Sequence, residues 1–282
     1  MSPSALGGLL DEAELYRFAH ELTAIPGIVG VVLGGSRARG THRPDSDVDL
    51  GLYYRGALDT PALRQLAARH AGTPVDVTEP GGWGAWVNGG AWLTIRGQRV
   101  DWIFRDLDRV ERIWQACQRG EYEVGAQTGH PLGFYSFAYA GELATSRVLS
   151  DPTGTLIALH AAVQHYPAAL GDALVRNLWE VDFALHGAHS AAAGDDPFAT
   201  AGALFRLVGV LCHALHGRAG QWLMVEKGMV AASGRLPRAP ASFASRAQHV
   251  LGALGVTRAE LDATLAAAAA LAAEVRAAIE AL

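Results

Sequence analysis

Gly34-Gly35-Ser36 follows directly on an unbroken apolar run, Ile28 to Leu33, and Asp47-Val48-Asp49 comes shortly after. No other stretch constrains the chain as tightly. A short continuous apolar run bounded by turn residues is the pattern of a buried strand. The two glycines let the backbone turn sharply and approach a bound group closely. Ser36 to Gly40 then opens a short helix, whose first N–H groups have no partner within the helix and suit a phosphate. Asp47 and Asp49 stand two apart at the start of the next extended segment, so both carboxylates point to one face. A strand, a phosphate-sized turn and paired carboxylates are parts that fit a polyphosphate neutralised by a hard divalent cation.

Taken singly, these parts are common. Asp-x-Asp occurs in polar turns, and Pro44-Asp45-Ser46-Asp47 has the composition of a loop that caps a strand. Their order carries the argument: strand, Gly-Ser, short helix with Gly40, Asp-x-Asp, strand. In that order they resemble the nucleotidyltransferase superfamily related to DNA polymerase beta. The family has a third carboxylate on a later strand, and the best match is Asp101 in Gln98-Arg99-Val100-Asp101-Trp102-Ile103-Phe104. A plain alternative for Asp101 is an ion pair with Arg99 or Arg105. The motif resemblance spans roughly residues 28 to 105. Beyond it, a helical C-terminal half is similar in layout to the small-molecule branch, which includes aminoglycoside and lincosamide nucleotidyltransferases.

The resemblance implies a set of roles. Asp47, Asp49 and Asp101 hold two Mg²⁺ ions, with Asp49 bridging and Asp101 able to take the proton of an attacking hydroxyl. Gly35 and Ser36 hold the β- and γ-phosphates of an NTP, with ATP the favoured donor. Of Arg37 and Arg39, one contacts phosphate and the other is a solvated or salt-bridged helix residue; Arg39 is the choice for the first role. Lys227, in Glu226-Lys227-Gly228, stands out in a lysine-poor chain and is the candidate to reach the triphosphate from the helical half. The plainer reading of Lys227 is a helix C-terminal residue before a glycine.

Composition narrows the partners. The chain has 282 residues, half of them hydrophobic, and a net charge of −5. Acidic charge without a long basic run argues against a protein that grips extended nucleic acid. Cys117 and Cys212 lack metal-ligand spacing and read as reduced thiols. The first residues lack the charged start and apolar core of a secretion signal. The Ala-rich end is interrupted by charges and reads as an amphipathic helix, not a membrane span. A cytoplasmic location is the expectation.

The pattern along the chain predicts an α+β fold: a nucleotidyltransferase-type mixed sheet with flanking helices over residues 1–127, then an all-α helical bundle over 128–282. In the first part, helix 11–24, strands 28–33 and 48–54, helix 63–70, a short strand at 75–77 and a hairpin of 91–95 with 99–104 are expected. A helix over 110–119 follows, and Gly129 to Gly133 reads as a linker. The bundle is expected from helices over 135–144, 155–164, 167–186, 200–216 and 258–282, with the active-site cleft between sheet and bundle. Trp83, Trp86 and Trp92 offer an aromatic wall for a base or a ring-shaped acceptor, or else loop packing. Glu142 or Asp182 fits either a cationic acceptor or a solvated helix face. His130 fits either a contact to substrate or part of a rigid hinge, the hinge being the favoured reading.

Three functions are compatible with these residues: nucleotidyl transfer to a small-molecule hydroxyl, transfer to a macromolecule such as an RNA end or protein side chain, and nucleotide binding without catalysis. The presence of all three acids and Ser36 weighs against the last.

Overall fold

A computed structural model describes residues 10–281. Contacts group them into two compact units. The first runs up to Gln115 and adds Gly125–Gly129 and Tyr139–His165; the second comprises Ala116–Val124, His130–Ala138 and the chain from Tyr166 on. The chain therefore crosses between the units more than once.

The first unit is built on a five-stranded mixed sheet in the order β3-β4-β2-β1-β7. Helix α1 (Glu12–Thr23) starts at a capping box, in which Asp11 accepts from the Glu14 N–H and Glu14 reaches back. Strand β1 (Ile28–Leu33) follows, then the four-residue α2 (Gly35–Ala38) and β2 (Val48–Tyr54). Helix α3 (Thr60–Ala71) begins at Asp59, which caps it, and ends at Gly72 in the left-handed conformation. Strands β3 (Gly90–Ile95) and β4 (Gln98–Asp106) form a hairpin whose two-residue turn, Arg96-Gly97, has φ of +52° and +83°. That double positive φ suits the right-handed twist of paired strands. Helix α4 (Leu107–Gln118) follows, then a short hairpin of β5 (Val124–Gln127) and β6 (His130–Tyr135), α5 (Ala138–Ala144), β7 (Arg147–Ser150) and α6 (Thr155–Val163).

Alternation along the strands sorts residues to two faces. Val31, Leu33, Val48, Leu50, Leu52, Val100, Trp102, Phe104 and Leu93 share one core with Phe18 and Leu22 of α1 and Leu63 and Leu66 of α3. The opposite face carries the residues between them, the three aspartates included. Leu156 of α6 lies against Gly30 on this opposite face, where an added Cβ would meet it at 2.8 Å.

The second unit takes in β6 and is otherwise mainly helical: α7 (Ala168–Arg176), α8 (Trp179–Ala193), α9 (Pro197–Ala219), α10 (Met229–Ser233), α11 (Phe243–Gly252) and α12 (Arg258–Glu280). Helix α9 is long and apolar enough to cross a membrane, yet 61% of its apolar window is buried inside the protein, as befits a central bundle helix. It carries His213 and His216 in the interior, where burial pushes them down to about 3 and about 4, so both are neutral. Helix α12 opens with a Thr257–Glu260 capping box and buries Leu261, Leu265, Ala268, Leu271, Ala272, Val275 and Ile279. It is the amphipathic helix that the Ala-rich end implied.

Several elements differ from the sequence expectation. The stretch around Pro131 and Gly133 is strand β6, so the next helix begins at Ala138 rather than at 135. At residues 75–77 only an isolated bridge, Val77 to Ala91, forms. The helix expected over 167–186 is divided at Asn177-Leu178 into α7 and α8.

Candidate active site

Parallel pairing of β2 with β4 sets Asp49 directly beside Asp101, in a register that runs without interruption from Val48–Val100 to Tyr54–Asp106. Paired residues on neighbouring strands point to the same face, so these carboxylates are side by side. Asp47 is two residues before Asp49 and belongs to the same face. Antiparallel pairing of β3 with β4 places Trp92 opposite Asp101. Three side chains from three adjacent strands, with Asp47 just before β2, therefore share one patch of the sheet.

The Gly-Gly-Ser turn closes on this patch from the β1 side. The Gly34 N–H donates to the Asp49 carbonyl at 2.8 Å. Gly35 has a φ of +62°, and a Cβ added there would lie 1.7 Å from Asp49 Oδ2 and 2.7 Å from its Cγ. Only glycine fits, in conformation and in space. The turn and the carboxylate thus define one concavity. Ser36 is half-buried at the start of α2, and its carbonyl accepts from the Thr41 N–H at 3.0 Å.

The two arginines after Ser36 have separate fates. Arg37 holds the loop that delivers the aspartates: its Nε donates to the carbonyls of Ser46 and Asp47 at 3.2 and 3.1 Å, and its Nη2 to Ser46 at 2.8 Å. Arg39 is exposed at the end of α2; its backbone N–H donates to the Arg37 carbonyl, and among the described residues its side chain makes no ion pair or hydrogen bond. It is the arginine left available to an anion.

Charge accumulates on the patch. Desolvation raises Asp49 above the ordinary carboxylate range, and the charge of Asp47 adds to the effect, against partial relief from Arg39 and Arg37. Asp101 is raised further, to about 6, by desolvation and then by Asp49 and Asp47. A carboxyl poised near neutrality is suited to accept a proton. Arg99 does not pair with Asp101; it binds Asp47 at 2.5 Å, with its side chain largely in solvent. Arg105 is engaged with Glu142, as described below.

Do these residues fit a metal ion? The donor set does: three carboxylates, all hard oxygen ligands, two of them raised by desolvation and then by neighbouring negative charge, a cost that a divalent cation would relieve. Among the described residues no group of three His, Cys, Asp or Glu side chains is already gathered closely enough to hold an ion. Asp47 is turned to Arg99.

The remaining sequence candidates are distributed as follows. Trp83 and Trp92 stack at 4.4 Å with their rings 20° apart. Trp86 lies elsewhere, under the Arg109 guanidinium at 4.5 Å. Gln127 fixes this loop by accepting from the Trp86 and Val87 N–H groups and donating to the Trp83 carbonyl. Glu142 is not on a solvated helix of the bundle: it lies on α5 in the sheet unit and forms a bidentate pair with the buried Arg105, at 2.7 and 2.9 Å. Asp182 pairs with Arg276 within the second unit. His130 stacks edge-on to Phe134 and faces Glu226, whose carboxylate also accepts from the Leu132 N–H at 3.0 Å. Lys227 is the only lysine in the chain, and it is exposed in the turn before α10 of the second unit.

Sequence reasoning missed the loop clamp of Arg37 and the Arg105–Glu142 pair. The signal for Arg105 was available, because its two-residue spacing from Ile103 and Asp101 puts a charged side chain on the aspartate face of a strand. The partner on α5, 37 residues later, had no such signal.

A sheet with Gly-Gly-Ser after its first strand, and with Asp-x-Asp in parallel register beside a third acid, defines a nucleotidyltransferase domain. Residues 15–115 match the family model described as the nucleotidyltransferase domain. The match assigns a nucleotidyltransferase domain to these residues, about a third of the chain. Among solved structures it is similar to a nucleotidyltransferase-like protein from Exiguobacterium sibiricum 255-15, with 9% sequence identity and a TM-score of 0.46 over 92% of this chain and 74% of that one. No curated protein matches it.

The close approach at Gly35 gives a direct test. Gly35→Ala must displace either the turn or the Asp49 carboxylate, in a conformation costing a non-glycine residue about 1–3 kcal/mol. Nucleotidyl transfer, read as pyrophosphate release, is expected to fall roughly a hundredfold, about what loss of one aligned group costs. A urea midpoint measured alongside should move down by the strain alone.

Proposed function

We propose that the chain transfers a nucleoside monophosphate from an NTP, with ATP as the donor, to a hydroxyl of a small-molecule acceptor, releasing pyrophosphate in the cytoplasm. The observation that carries this reading is the in-register pair Asp49–Asp101 beside a turn that accepts only glycine at position 35.

The residues divide the work along the sheet. Gly35, Ser36 and the unpaired Arg39 lie on the β1 side and would hold the β- and γ-phosphates, where backbone N–H groups and a guanidinium favour an anion. Asp47, Asp49 and Asp101 would hold Mg²⁺, which supplies charge neutralisation of the attacking and leaving oxygens. The acceptor oxygen forms a bond to the α-phosphorus as its proton passes to Asp101. The bond from the α-phosphorus to the oxygen bridging to the β-phosphorus breaks, and its electron pair leaves with pyrophosphate. The chain's own contribution is to align these groups and to keep Asp101 basic enough to take that proton. Lys227 is a further candidate for the triphosphate, tested by Lys227→Ala.

Small acceptors are favoured over nucleic acid because the chain is acidic overall, with net charge −5. The test is incubation with α-labelled ATP and cell extract, followed by separation of small from large species. Label is expected in small molecules, with pyrophosphate released in equal amount. Removal of divalent ions with EDTA should reduce transfer by at least about a hundredfold, given how much of the charge balance falls to the metal, and added Mg²⁺ should restore it. Label in protein or RNA would move the acceptor class. Transfer unaffected by EDTA would remove the metal from the reading.

A further inference from the structure

Building on the nucleotidyl-transfer reading above, we propose that Trp92 is the platform on which the acceptor lies, and that the acceptor presents a hydroxylated ring to it. The argument starts from strand order. The phosphate-holding turn follows β1, the carboxylates stand on β2 and β4, and Trp92 stands on β3, in that sequence across the sheet. In an in-line displacement the nucleophile and the leaving group lie on opposite sides of the phosphorus. With pyrophosphate leaving over β1, the acceptor must approach over β4 and β3.

A cleft exists there. It has a volume of about 290 Å³ and is lined by Asp47, Trp92, Leu93, Thr94, Arg99 and Asp101. It holds the proton acceptor of the proposed reaction and an indole that is 68% exposed. Such exposure is unusual for a tryptophan in register beside a desolvated carboxylate. Trp83 stacks on the Trp92 ring and lines a separate cleft with it, whereas Trp92 alone of the two lines the cleft with the acids. One indole is thus backed and held by the other, and the braced ring is presented to the acids. An aromatic face gives area to the C–H face of a ring, and the carboxylates and the Thr94 hydroxyl beside it accept and donate hydrogen bonds to ring hydroxyls. A straight-chain alcohol would meet the same acids but forgo the stacking.

The experiment uses the full chain with Mg²⁺ and a non-hydrolysable α,β-methylene ATP analogue. Analogue affinity is measured by calorimetry for the wild type, Trp92→Ala and Trp92→Phe, and is expected to agree within about twofold across the three. Saturation-transfer NMR is then recorded on myo-inositol, as a hydroxylated ring, and on glycerol, as an acyclic control. Saturation is expected on the inositol ring protons with wild type and Trp92→Phe, and roughly tenfold weaker binding with Trp92→Ala, the scale of one lost stacking contact. Glycerol should show none. Absence of transfer to inositol with the wild type, equal transfer to glycerol, or an unchanged signal in Trp92→Ala overturns the platform. Weakened analogue binding in Trp92→Ala overturns it as well, by assigning the indole to the nucleobase. Failure of the analogue to bind wild type with Mg²⁺ has a different meaning: it removes the nucleotidyl-transfer reading and the subsite with it.

Discussion

Asp49→Asn is expected to lose transfer by a factor on the order of 10³ or more while leaving the protein as stable as the wild type or more so. The two halves of this expectation come from the same observation. Asp49 is largely withdrawn from water, and desolvation, followed by the negative charge of Asp47, raises it above the ordinary carboxylate range. In the fold, then, its ionised form is a cost. An isosteric neutral amide removes that cost and the repulsion Asp49 exerts on Asp101. In the proposed reaction the same charge would draw a divalent cation, and an amide cannot supply it. Pyrophosphate release and a urea midpoint on one preparation separate the two. Transfer within tenfold of wild type would remove Asp49 from the chemistry. A large fall in midpoint would show that favourable contacts of the carboxylate outweigh its loss of hydration. Asp47→Asn serves as the comparison, because Asp47 has Arg99 at 2.5 Å in a pair largely open to solvent. Loss of such a pair changes stability by about 1 kcal/mol or less.

Much of this site was legible in the string because strand geometry has a period of two. The apolar run at 28–33, the glycines, and the spacing of Asp47 and Asp49 place a turn beside two carboxylates without reference to any other part of the chain. Asp101 was legible as a charged residue inside an apolar strand. What the string does not hold is register. That Asp49 faces Asp101, and that Trp92 faces Asp101 in turn, follows from pairings that depend on how α3 and the Arg96-Gly97 hairpin bring distant segments together. Strand β7 was missed because four residues, Arg147–Ser150, are too few to show alternation, and β6 because Pro131 and Gly133 carry the composition of a turn. The division between α7 and α8 carries neither glycine nor proline. Leu178 itself keeps helical dihedrals there, so the helical pattern of the sequence continues through the break.

The second large effect concerns Arg105, behind the acids on the same face of β4. Its side chain is 4% exposed and is held by both oxygens of Glu142, with further bonds to the carbonyls of Val87 and Phe104. Burial of a guanidinium is tolerated only because each of its three nitrogens has a partner, and removing one member of such a pair leaves the other uncompensated. Arg105→Met is therefore expected to cost about 3–5 kcal/mol. The consequence should reach the active site, because the Glu142 charge already raises Asp49 and, without Arg105, would act on it unopposed. Holding a cation would compensate in part, so transfer should fall more steeply at low Mg²⁺ than at high. The double variant Arg105→Met with Glu142→Leu removes both charges together. It should recover most of the lost stability, since an apolar pair of similar volume is often neutral relative to the ion pair it replaces. Denaturant midpoints and Mg²⁺ titrations of transfer on the single and double variants complete the cycle. If the double variant were as unstable as the single, the loss would lie in packing or in the Val87 and Phe104 carbonyls, and the electrostatic link from Glu142 to Asp49 would have to be given up.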